Sequence, residues 1–203
     1  MNKANKIPRF QFITGSNARL SHADEARQAC EGGVRFIQFR EKNATLESCK
    51  RMAETTLHVC RKYNAWLIID DYIEVAKDIQ ADGVHLGYND EPPIKARQVL
   101  GDNAIIGGTG NNIDHERQLA NEQVDYVGVG PYQFTYSKNS LKPTLGIEGY
   151  RNLIYQMQQH GINVPVFAIG GIQMTDIPEI FKTGVYGIAV SSAIGASDRP
   201  LDV

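Results

Sequence analysis

The chain has 203 residues, of which 42% are hydrophobic and 22% charged, and a formal net charge of −2. The length suits one domain with a full core, spanning residues 1–203, and the composition is that of a soluble globular protein. The charge excludes bulk attraction to nucleic acid or to an acidic membrane, so any anion site must be local.

The opening, Met1 to Lys6, lacks the apolar core of a signal peptide, and no apolar run is long enough to span a bilayer. Arg9 to Thr14 reads as a first short strand. Ser21-His22-Ala23-Asp24 fits a capping box, and the helix it opens carries Ala26, Ala29 and Cys30 before stopping at Gly32-Gly33. Val34 to Arg40 reads as a strand that runs into a polar loop. Thr45 can cap the next helix, with Leu46, Cys49, Ala53, Leu57 and Cys60 as its buried face. Trp66 to Ile69 is a strand buried on both faces and ends in Asp70-Asp71. The alternation repeats: helix Tyr72 to Ile79, strand Gly83 to Leu86, helix Ile94 to Leu100, strand Ala104 to Gly107, helix Asp114 to Asn121, strand Asp125 to Val129. A polar loop, Gly130 to Pro143, precedes a helix near Ile147 to Gln159 and the strand Val164 to Ile169. Ile177 to Lys182 is helical, Tyr186 to Val190 is the last strand, and only a short terminal helix can follow.

About eight strand-then-helix units point to an α/β protein, a (β/α)8 TIM barrel, with an open doubly wound sheet as the alternative. Polar clusters sit just after strands, as expected if one rim holds the site. The three cysteines, Cys30, Cys49 and Cys60, lack metal-type spacing and fall on predicted helices, which points to reduced, buried thiols and a cytoplasmic protein.

Side chains alternate along a strand, so Gln38 and Arg40 share one face and Lys42 extends that line into the loop. An amide, a guanidinium and an ammonium at one strand end suit a polyanion such as a diphosphate. The plainer reading is an exposed rim with Arg40 or Lys42 paired to Glu41. Asp71 and Asp90 come from adjacent units and can hold a hard divalent cation, Mg²⁺. Separately, Asp71 also works as a helix cap and Asp90 as a turn acid before Pro92-Pro93. Gly170-Gly171 before a helix, with Ser191-Ser192 after the last strand, fits a monophosphate cradle or a tight turn. Thr109 belongs to the loop after the fifth strand, and Thr135, Ser137 and Lys138 to the loop after the sixth. His85 reads as a barrel-interior histidine satisfied by its neighbours. His22, His58, His115 and His160 read as solvated. Two anion sites in one mouth would serve to join two phosphorylated molecules with loss of diphosphate.

Gln38-Phe39-Arg40-Glu41-Lys42, Asp70-Asp71, Gly83-Val84-His85-Leu86-Gly87, Gly130-Pro131 through Thr135-Tyr136-Ser137-Lys138 and Ala168-Ile169-Gly170-Gly171-Ile172 resemble, in order, the thiamine-phosphate synthase family. The resemblance runs from about Ile13 to Ile194. It implies a transferase that couples hydroxymethylpyrimidine diphosphate to a thiazole phosphate, with small-molecule partners and with neither nucleic acid nor membrane. A homo-oligomer is compatible with it. By that resemblance Gln38, Arg40, Lys42, Asp70, Thr109 and Lys138 hold the pyrimidine diphosphate, with Arg40, Lys42, Lys138 and Thr109 the catalytic set. Asp71 and Asp90 bind Mg²⁺, and Thr135, Ser137, Gly170, Gly171, Ser191 and Ser192 hold the thiazole phosphate. The family's pattern has Asn where this chain has Asp70, Ser where it has Thr109, and Thr where it has Ser137. An extra carboxylate beside a diphosphate is unfavourable unless it is metal-bound or protonated. Two other readings stand beside this one: a thiazole tautomerase-like isomerase, and a barrel that only binds thiazole phosphate or thiamine phosphate.

Overall fold

Short apolar runs alternate with amphipathic stretches, and each run becomes a strand whose two faces both need cover. In the computed structural model, which describes residues 7–15, 19–134 and 143–191, the strands are β1 (Phe10–Ile13), β2 (Phe36–Phe39), β3 (Trp66–Asp70), β4 (Gly83–Leu86), β5 (Ile105–Gly110), β6 (Tyr126–Val129), β7 (Val166–Ile169) and β8 (Gly187–Val190). The helices are α1 (His22–Glu31), α2 (Leu46–Lys62), α3 (Ile73–Asp78), α4 (Pro93–Leu100), α5 (Ile113–Asn121), α6 (Gly146–Gln159) and α7 (Ile177–Phe181), with a 3-10 turn at Met174–Asp176. All strand pairs are parallel, and β8 returns to pair with β1, so the sheet is a closed (β/α)8 barrel and the open-sheet alternative falls.

Alternation along each strand builds two cores. Phe36, Ile68, Ile105, Tyr126 and Phe167 meet in one cluster with Ile7. Ile37, Leu67, Ile69, Val84, Ile106, Val127 and Ile188 belong to the other, with the apolar sides of the helices. The three cysteines are buried in that second cluster. Ser21 caps α1 by accepting from the Asp24 amide, and Thr45 caps α2 by accepting from the Ser48 amide. The expected buried face of α2 needs one correction. Leu46, its first residue, is 55% exposed, and Thr56 takes a buried place beside Cys49, Ala53 and Cys60.

The closing seam is stapled by side chains. The Arg9 guanidinium donates to the Tyr186 carbonyl (2.7 Å) and lies over the Phe181 ring. The Tyr186 hydroxyl donates to the Ile7 carbonyl (2.6 Å), and Ser191 Oγ donates to the Ile13 carbonyl (2.9 Å). The expected terminal helix lies outside the described residues.

Gly83 marks where the ring is tightest. A Cβ there would stand 1.8 Å from the Ile105 carbonyl oxygen and 2.9 Å from its amide nitrogen. Both are backbone atoms of the neighbouring strand, so the pair would have to part. Gly83→Ala should therefore cost about 3 kcal/mol of stability, read as a lower urea midpoint at unchanged slope. A midpoint equal to the parent's would show that β4 and β5 separate cheaply.

Candidate active site

Parallel strands in a closed ring present all their C-terminal ends at one rim, and the predicted polar groups follow those ends. Gln38 sits on β2, nearly buried, and its side-chain amide donates to Asp70 Oδ1 (2.7 Å). Asp70 closes β3 and is 7% exposed. Its other oxygen faces Arg40 Nε at 3.4 Å and Lys42 Nζ at 3.1 Å. Lys42 also pairs with Asp71. The two cations therefore turn to β3 rather than to Glu41, which overturns the plainer reading of this rim.

Asp71 has φ +66°, a left-handed conformation that Asp tolerates better than most residues. Its amide donates to the His85 carbonyl (2.9 Å). It does not cap α3, whose N-cap is Tyr72 and has no side-chain cap bond. The Asp71 carboxyl instead meets Lys42 and faces the Asp90 carboxyl across the rim. Asp90 Oδ2 also accepts from the Gly87 amide (2.6 Å), so it is a turn acid and a rim group at once.

Burial pushes the Asp70 carboxyl up, and the neighbouring Asp71 charge adds to that; Lys42 and Arg40 oppose it. Burial works against the Lys42 ammonium, but the Asp70 and Asp71 carboxylates outweigh it and raise its pKa. Burial and the Asp71 carboxylate both push Asp90 up, while for Asp71 the bond to Lys42 overrides burial and holds it down. Carboxylates crowded at one rim form a place for a hard cation. Among the described residues no three His, Cys, Asp or Glu side chains form a ready-made metal cage. Mg²⁺ needs none, because it takes one or two carboxylates and completes its shell with water and phosphate oxygens.

Thr109 lies within β5, not in the loop after it. Its hydroxyl meets His85 Nε2 at 2.9 Å, while His85 Nδ1 meets the Tyr126 hydroxyl at 3.1 Å, and that hydroxyl accepts from Gln11 Nε2 at 3.1 Å. If Tyr126 donates to Nδ1, then Nε2–H donates to Thr109, and the Thr109 proton is turned toward the rim. His85 is therefore a satisfied interior histidine that orients a rim hydroxyl.

Gly170 and Gly171 have φ +95° and +71°. A Cβ at Gly171 would lie 3.0 Å from the carbonyl oxygens of Gln133 and Phe134, so this turn lies directly against the segment after β6. Ser191 already donates across the seam to Ile13. Thr135, Ser137, Lys138 and Ser192 lie outside the described residues.

A profile described as thiamine monophosphate synthase matches residues 10–194. Thiamine-phosphate synthases of Phocaeicola vulgatus and Bacteroides fragilis are 44% and 45% identical to the chain; the first alignment covers 97% of this chain and 94% of that protein, the second 95% of each. The chain belongs to the thiamine monophosphate synthase family. A solved thiamine phosphate pyrophosphorylase from Pyrococcus furiosus superposes with a TM-score of 0.84 at 33% identity, covering 99% of this chain and 93% of that one.

As a thiamine monophosphate synthase family member the chain is an enzyme, and its class is transferase. No described helix is long and apolar enough to cross a membrane. One rim group went unread in the sequence. His22, expected to be solvated, is 8% exposed, packs its ring on Phe39 at 4.4 Å between centroids, and reaches Glu41 beside the two cations. Its partners are 8 and 19 residues away, so no local pattern announces them.

Proposed function

We infer that this enzyme joins a hydroxymethylpyrimidine diphosphate to a thiazole phosphate, forming thiamine phosphate and releasing diphosphate. The observation that carries the reading is the meeting of Arg40, Lys42, Asp71 and Asp90 at one rim in a chain of this family. An isomerase of the thiazole would need no such basic grip.

In this reading the methylene C–O bond of the pyrimidine breaks first, and diphosphate leaves with the electron pair. The electron-rich aminopyrimidine stabilises the cation, and the thiazole nitrogen then gives its lone pair to the methylene carbon. The protein contributes orientation, charge and exclusion of water rather than a nucleophile. Arg40 and Lys42, with Lys138, take the diphosphate oxygens, and Gln38 and Thr109 orient that substrate. Asp71 and Asp90 would hold Mg²⁺, which neutralises charge on the leaving diphosphate. Asp70 keeps Arg40 and Lys42 pointed at the rim and lies back against Gln38. Thr135, Ser137, Gly170, Gly171, Ser191 and Ser192 hold the thiazole phosphate. The proposal includes one barrel domain over residues 1–203, a cytoplasmic setting for its small charged substrates, and no nucleic-acid partner.

With both substrates and Mg²⁺ supplied, thiamine phosphate and diphosphate should appear in step. Isomerised thiazole alone, or tight binding without turnover, would put one of the other two readings in its place. Arg40→Ala and Lys138→Ala should each slow turnover at least about tenfold, some 1.4 kcal/mol in the barrier. Near-parental rates in both would remove the basic rim from the mechanism.

A further inference from the structure

The loop that carries Arg40 and Lys42 is tied to the strand and helix before it by a chain of polar contacts. Thr14 follows β1, and its Oγ1 lies 2.7 Å from His22 Nδ1 at the start of α1. His22 Nε2 lies 3.2 Å from Glu41 Oε2. The other Glu41 oxygen accepts from the Asn43 amide at 2.6 Å, so the carboxylate also closes the turn that contains Lys42. In the neutral ring the bonding order is set by chemistry: a carboxylate only accepts, so Nε2 carries the proton and Nδ1 accepts from the Thr14 hydroxyl. The Asn43 amide bond, more than His22, holds the Glu41 carboxyl below the usual carboxylate range.

The backbone has been fitted to the same purpose. Gly15, at φ +89°, approaches so closely that a Cβ would stand 2.5 Å from the Arg40 carbonyl oxygen and 3.0 Å from His22 Cε1. Its amide is held by the buried carboxylate of Glu25. The Thr14 amide donates to the Gln38 carbonyl (2.9 Å). Arg40 and Lys42 are long, flexible side chains, so a rigid loop beneath them decides whether their heads are aimed or merely nearby.

We propose that His22, with Thr14 and Glu41, is a positioning residue for the diphosphate grip: it locks the Arg40–Asn43 turn against the end of β1. This rests on the reading of Arg40 and Lys42 as that grip. The role separates cleanly from plain electrostatics. Glu41 is a negative charge between two cations, so deleting its charge alone should tighten binding of an anion. Deleting its hydrogen bonds should loosen it.

The test is calorimetric titration of the full chain with inorganic diphosphate plus Mg²⁺, and separately with thiazole phosphate. Glu41→Ala and His22→Leu should each weaken diphosphate binding about tenfold through misplacement of the cations, with thiazole phosphate affinity unchanged. Glu41→Gln removes the charge, keeps an acceptor for the Asn43 amide and turns an NH2 donor to His22 Nε2, which accepts it once the ring proton sits on Nδ1 and is donated to Thr14. It should bind diphosphate at least as tightly as the parent. His22→Gln, which retains a donor toward Glu41, should recover much of the loss seen in His22→Leu. Should His22→Leu fail to fold, the Glu41 pair alone decides. Equal weakening of both ligands, or Glu41→Ala matching Glu41→Gln, overturns the proposal. Arg40→Ala runs alongside: if it binds diphosphate like the parent, the grip reading itself fails and takes the proposal with it. If Arg40→Ala is weakened while Glu41→Ala and His22→Leu are not, only the positioning role falls.

Discussion

Asp71→Asn should fold as well as the parent and turn over about a hundredfold more slowly or worse, on the order of 3 kcal/mol in the barrier. The substitution is clean for a structural reason. Asp71 holds φ +66°, and Asn is at ease in that left-handed region, whereas Ala would add strain. The backbone bond from Asp71 to the His85 carbonyl is kept. What goes is one of three carboxylates crowded at the ends of β3 and β4. Without it, the like-charge pressure on Asp70 and Asp90 is relieved while the ion pair to Lys42 is lost, so the melting temperature should change little while activity collapses. The Mg²⁺ concentration for half-maximal rate should climb as well. A variant with the parent's rate and Mg²⁺ dependence would take the metal role away from Asp71.

The second large effect is on stability and comes from outside the rim. Glu116→Gln should leave the melting temperature close to the parent's near pH 5 and raise it clearly near pH 8.5. Glu116 is on α5, has no exposed surface, and neither carboxyl oxygen has a partner among the described residues. It lies against the end of β5, where a Cβ on Gly110 would come within 2.0 Å of Oε1. Burial pushes its pKa up from 4.5 to about 8. Between those values the unfolded chain has released the proton and the folded chain still holds it. The folded state therefore binds more protons, and stability falls as pH rises through this window, levelling off above about 8. The loss across the window is on the order of 5 kcal/mol. Gln cannot ionise, so its curve should lack that descent. Parallel curves for variant and parent would mean that Glu116 is ionised throughout.

The architecture was legible because each strand is a short apolar run bounded by breakers; β4 was read with its observed ends, Gly83 and Leu86. The site was legible through Gln38, Arg40, Lys42 and the two aspartates after β3, which depend only on strand alternation and on a rim shared by every unit. Thr109 was misplaced for an instructive reason. Gly107 reads as the end of a strand, yet it and Gly108 are packing room inside one. A Cβ on Gly107 would stand 2.3 Å from the Tyr126 ring, and one on Gly108 2.6 Å from Leu119. Glycine there makes space for a large neighbour inside the sheet instead of turning the chain. Leu46 fails differently. Helical spacing assigns a face, but it does not say that the first residue of α2 projects beyond the layer the helix covers. His22 fails because burial by distant partners leaves no periodic trace.

The ring is finished by its last strand meeting its first, and the staples across that seam join residues 177 to 179 positions apart. During synthesis β1 must therefore wait, one edge bare, until β8 has left the ribosome. Contacts of such long range are slow to form. The nascent protein thus spends most of its emergence as an unsealed sheet, and it is in this period, rather than after completion, that a chaperone would have something to hold.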